Sequence, residues 1–74
     1  MRVLLLDDGQ PHDVFELVEL VDGVVRARSP YLFELGEEIR LRIERDGGAT
    51  EDVTARVRAH VGGRDKITEL ELDR

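Results

Sequence analysis

The chain has 74 residues, no cysteine, no tryptophan and a formal net charge of −6. That length leaves room for one small domain spanning 1–74, with no disulfide framework or thiolate metal site to reinforce it. An acidic surface repels phosphate backbones, which argues against electrostatically driven nucleic-acid binding. The longest apolar run near the N-terminus, Val3-Leu4-Leu5-Leu6, is too short for a signal peptide or a membrane span. A cytoplasmic chain with no membrane partner is therefore expected.

In chain order, that apolar run leads into a turn at Asp8-Gly9. Residues Asp13–Val21 are ambiguous. Val14, Leu17, Val18 and Val21 follow a helical spacing, and Asp13 with Glu16 resembles a capping box. Three valines, a phenylalanine and the immediate Asp22-Gly23 turn instead favour a strand. A hairpin there would pair Leu20 with Val25, Glu19 with Arg26 and Val18 with Ala27. A short helix over 13–21 is the competing expectation.

Further along, Ile39, Leu41 and Ile43 alternate with Arg40, Arg42 and Glu44, which marks a half-buried strand. Val53, Ala55, Val57, Ala59 and Val61 do the same, leaving Thr54, Arg56, Arg58 and His60 to face water. Pairing Ile43 with Val53 and Leu41 with Ala55 keeps both apolar sets on one face. It needs a three-residue loop, Gly47–Ala49, with a glycine at positive φ. The final hairpin, turning at Gly62–Asp65, is expected to pair Val61 with Lys66, Ala59 with Thr68 and Val57 with Leu70. Its outer face would set Arg58 opposite Glu69 and Arg56 opposite Glu71, and Ile67 would point outward.

The run Gly23-Val24-Val25-Arg26-Ala27-Arg28-Ser29-Pro30-Tyr31-Leu32-Phe33-Glu34-Leu35-Gly36, followed by the alternating strand through Ile43, resembles the middle of a PilZ domain. That family shows a glycine, a strand of the "GLRVRSP" kind and a turn of the "LxxGxxV" kind. Thr54–Arg58 is similar to its "ARV" strand, and Thr68–Leu72 stands where its closing strand falls. The resemblance implies a small six-stranded antiparallel β-barrel of bacterial signalling, in a family many of whose members bind cyclic di-GMP. The family's ligand motifs, Arg-x-x-x-Arg and Asp/Asn-x-Ser-x-x-Gly, are both missing: no two arginines lie four apart, and Ser29 has neither motif neighbour. No ligand residue carries over, and the family's usual route to the nucleotide is absent. Degenerate members of this kind act as protein-interaction modules, and the resemblance implies that role here.

Two surface features remain. The pairs Arg26/Arg28, Arg40/Arg42 and Arg56/Arg58 would all lie on the solvent face, balanced by Glu19, Glu44, Glu69 and Glu71, with Arg40 close to Arg56. They form either a solvated outer face or a basic stripe for an anion. Tyr31-Leu32-Phe33, with Leu35 behind, lies in a connection. Those residues either plug the barrel's open end or form an exposed patch. His12, Asp13 and Asp7 are loosely spaced for a metal site, and Ser29 is the lone serine, so no metal, cofactor or catalytic set is expected.

The expected protein is thus an all-β, PilZ-like antiparallel barrel. Its expected function is that of a non-enzymatic signalling adaptor or protein-interaction module contacting a protein partner through Tyr31, Leu32 and Phe33. The alternative is a receptor for cyclic di-GMP or another anionic nucleotide through Arg26, Arg28, Arg40 and Arg42. A third possibility is a homo-oligomer assembled along exposed strand edges.

Overall fold

The computed structural model describes residues 1–73, with the side chain of Asp65 excepted. The fold is a single antiparallel sheet of seven strands: β1 Arg2–Asp7, β2 Gln10–His12, β3 Glu16–Val21, β4 Val24–Arg28, β5 Glu38–Glu44, β6 Thr50–Val61 and β7 Ile67–Asp73. Their order across the sheet is β2-β1-β5-β6-β7-β4-β3. The only helical turn among the described residues is a 3₁₀ turn at Gly63–Asp65. No helix among the described residues is long and apolar enough to cross a membrane.

The expected barrel is not closed. The sheet curls until β1 and β3 come near each other, but no strand pairing bridges that seam. Side chains fill it instead: Phe15, 6% exposed, is buried in the core, with Val14, Leu17 and Leu20 packed against it. Local turn chemistry sets the hairpins that border the seam. Asp8-Gly9 and Asp22-Gly23 each place two successive residues at positive φ (51° and 78°, 54° and 75°), the backbone of a tight two-residue hairpin turn. The helix weighed for 13–21 does not form, because the Asp22-Gly23 turn folds β3 straight back onto β4.

The core follows the alternation of the sequence. Ile39, Leu41 and Ile43 on β5, Val53, Ala55 and Val57 on β6, and Leu70 and Leu72 on β7 are all buried, joined by Val3, Val25 and Ala27. The β5–β6 register differs from expectation by one loop position. Leu41 faces Val53 and Ile39 faces Ala55. The three-residue loop is Asp46–Gly48, closed by the Arg45 N–H donating to the Ala49 carbonyl at 2.8 Å. Sliding the loop by one residue moves the pairing by two, so every side chain keeps its face.

Two bulges overturn other expected pairings. Beyond Glu19, β3 carries an extra residue, so Leu17, not Val18, lies opposite Ala27, and Val18 is exposed. On β6, Val57 faces Leu70 as expected, but Ala59 faces Glu69, His60 faces Thr68 and Val61 faces Ile67. Arg58 is the inserted residue. A bulge reverses the alternation beyond it, so Ala59 and Val61 turn to the outer face. Ile67 points outward as expected, now beside Val61, while His60 swings to the core side at the mouth of the sheet.

Candidate functional site

The connection from β4 to β5 crosses that mouth, and its backbone is tied at several points. Ser29 Oγ accepts the Tyr31 N–H at 3.1 Å, a local turn that serine hydroxyls support. The Glu37 N–H donates to the Glu34 carbonyl at 3.1 Å, and Glu37 Oε1 accepts the Glu34 N–H at 3.0 Å. Gly36, at φ 84°, donates to the Val57 carbonyl at 2.8 Å, while the Val57 N–H donates to Glu37 at 2.9 Å.

His60 supplies the remaining tie. Its Nε2 stands 2.7 Å from the Phe33 carbonyl oxygen, and Nδ1 lies 3.3 Å from Thr68 Oγ1. A carbonyl only accepts, so Nε2 carries a proton toward Phe33. His60 remains exposed, as the alternation implies. The bulge at Arg58 is what lets it reach the connection.

These ties divide the aromatic segment. Phe33 turns inward, partly buried against the core, with its ring 5.9 Å from that of Phe15. Tyr31 stacks obliquely on Phe33 at 6.3 Å yet remains 54% exposed, and Leu32 is 86% exposed. The segment is therefore a plug and a patch at once: Phe33 is the plug, Tyr31 and Leu32 form the patch, and Leu35 is exposed as well. Concavities flank Tyr31 and Leu32 on both sides. One, of about 400 Å³, is lined by Leu5, Val14 and Phe33, with Asp7, His12 and Glu37 around it. The other, of about 320 Å³, includes Pro30, His60, Val61 and Lys66.

The four arginines of the alternative reading are not brought together. Arg26 and Arg28 lie on β4 and Arg40 and Arg42 on β5, with β6 and β7 between. That separation is roughly 14 Å along the sheet at ordinary strand spacing. Three of the four are also engaged. Arg26 Nη1 is 2.7 Å from Glu19 and its Nε 2.8 Å from Glu69, contacts that raise its pKa, the Glu69 hydrogen bond most. Arg42 makes a two-pronged pair with Asp52 at 2.8 and 3.1 Å. Arg28 reaches Glu16 at 3.5 Å. Arg40 lies opposite Thr54 and makes no ion pair among the described residues; Arg56, expected beside it, pairs with Glu38 at 3.4 Å. The outer face is thus largely a set of matched charges.

Among the described residues, no three His, Asp or Glu side chains gather where a metal ion could be held. No family model matches the chain, and searches of curated proteins and of solved structures found no match.

Proposed function

We propose that the protein is a non-enzymatic interaction module whose contact surface is the exposed Tyr31–Leu32 ridge. One observation carries this reading: a leucine 86% exposed on a connection whose backbone is fixed by the Gly36–Val57, Glu37–Val57 and His60–Phe33 hydrogen bonds. An apolar side chain on an already ordered backbone leaves less chain entropy to be lost when a partner covers it. Single exposed leucines are common, but a leucine beside a half-exposed tyrosine and between two concavities has the make-up of an interface core.

The PilZ-like resemblance adds the setting of a bacterial signalling adaptor in the cytoplasm. The nucleotide-receptor alternative is disfavoured, because a bound phosphate would have to displace carboxylates from Arg26 and Arg42.

The test compares the wild type with Leu32→Ser in affinity capture, after circular dichroism has shown the two to be equally folded. Proteins retained by the wild type and lost by the variant support the reading. Equal retention, or a variant that unfolds, overturns it. Calorimetric titration with cyclic di-GMP is expected to give no heat. Binding that is lost in Arg26→Ala or Arg40→Ala would favour the receptor instead.

A further inference from the structure

The two sides of the Tyr31–Leu32 ridge differ in charge. The larger concavity carries Asp7 and Glu37 at its margin. In the other, Lys66 is the one permanently charged side chain among the described residues that line it, beside His60, whose Nδ1 lies 3.3 Å from Thr68 Oγ1. The ridge therefore has an acidic flank, an apolar crest and a basic flank, in that order.

The geometry points to a second copy of this chain as the occupant of the ridge, in an isologous dimer. This rests on the docking role proposed above and names its partner. A two-fold axis lying in the interface, across the line from acidic to basic flank, carries each acidic flank onto the partner's basic one. With the axis between Leu32 and the larger concavity, the same operation brings each Leu32 over the partner's groove of Leu5, Val14 and Phe33. Crest and groove are then both satisfied twice. A partner of uniform charge would meet repulsion on one flank. The net charge of −6 on each copy opposes close approach, so local complementarity of this kind is what a self-pairing would need.

Strand edges are poorer routes to the same end. β2 has three residues and includes Pro11, while β3 is interrupted by its bulge. Both are features that blunt edge-to-edge pairing.

Sedimentation equilibrium of the wild-type chain, from low micromolar to near-millimolar concentration, tests the inference. The expected result is a reversible dimer, with Leu32→Asp raising its dissociation constant by on the order of thirtyfold, as a central anchor does. Lys66→Glu should weaken the dimer, and adding Asp7→Lys in the same chain should restore it, since each flank then meets its opposite again. Should Leu32→Asp fail to fold, amide chemical shifts of the wild type on dilution give the same answer. They should move at Leu5, Val14, Tyr31, Leu32 and Lys66, and stay fixed on the outer faces of β5 and β6. A wild type that stays monomeric throughout overturns self-pairing but leaves the docking reading intact. A dimer unaffected by Leu32→Asp, or one whose shifts move elsewhere, overturns pairing through this ridge and likewise leaves the docking reading to its own test.

Discussion

Glu69 and Arg26 face each other across β7 and β4, with Glu69 Oε2 2.8 Å from Arg26 Nε and only 10% of the Glu69 side chain exposed. The row extends on both sides: Arg26 also holds Glu19 at 2.7 Å, and Arg58 comes within 3.9 Å of Glu69. Four charges of alternating sign thus run across β3, β4, β7 and β6, with the most buried member between two arginines. Glu69→Ala removes the central acceptor and should cost about 1–3 kcal/mol. That is a fall of roughly 4–8 °C in Tm for each kcal/mol in a domain this size. Glu69→Gln keeps a carbonyl acceptor and should cost less. Glu19→Ala, at the exposed end, should change stability by under about 1 kcal/mol. Thermal melts of the three variants check the ranking, and equal effects of Glu69→Ala and Glu19→Ala would contradict it.

Acid sensitivity should show a signature at Asp52. The hydrogen bond from Arg42 is the main cause that holds this carboxyl below its ordinary value of 3.8. A carboxylate with a lowered folded pKa stabilises the fold above its unfolded value, and that contribution disappears as pH falls through the folded value. The stability gap between wild type and Asp52→Asn should be constant above about pH 5 and shrink on further acidification. Urea midpoints measured across that range check this, and a gap that widens on acidification would reverse the sign of the argument.

Leucines at positions 41 and 32 should behave oppositely. Leu41 is fully buried at the centre of β5, so Leu41→Ala should cost about 2–5 kcal/mol through lost transfer energy and a cavity. Leu32→Ala should fall within roughly 0.5 kcal/mol of wild type, as surface substitutions do. Denaturant titrations of the two variants give both numbers directly.

His60 should control the order of the connection more than the stability of the whole. His60→Ala removes the donor to the Phe33 carbonyl, at a net cost of about 0.5–1.5 kcal/mol. Amide exchange of Phe33–Glu37 should quicken while the amides of β5 keep their protection. His60→Gln places an N–H at similar reach and should recover part of the protection. Uniform acceleration across the sheet would mean that His60 supports the fold at large.

The strands and their faces were legible in the sequence because they rest on local signals. Ile39, Leu41, Ile43, Val53, Ala55 and Val57 declared the core by alternation alone, and Asp22-Gly23 placed its turn. What escaped were features that depend on two strands together. Whether Gly47–Ala49 or Asp46–Gly48 closes the β5–β6 loop turns on a single position that both choices satisfy in parity. The bulges at Val18 and Arg58 leave no mark on their own strands; they follow from what β4 and β7 present opposite. Closure was illegible for the same reason, since it depends on whether β1 and β3 meet as strands. At the candidate site, the exposed Tyr31-Leu32 pair was visible as an apolar run in a connection. The inward turn of Phe33 and the part played by His60 were not, because the first rests on a contact with distant Phe15 and the second on the Arg58 bulge.

The seam between β1 and β3 has a mechanical consequence. Most strands are stitched to a neighbour on both sides, but β2 and β3 are each stitched on one side only, and the slit between the sheet's two ends is held by side chains, apolar ones with the Arg2–Asp13 ion pair at 3.5 Å, in place of a backbone ladder. Such a wall unzips from its slit. Thermal breathing should begin by peeling the β3 hairpin outward with Phe15 in tow, well before the β5–β6–β7 panel lets go.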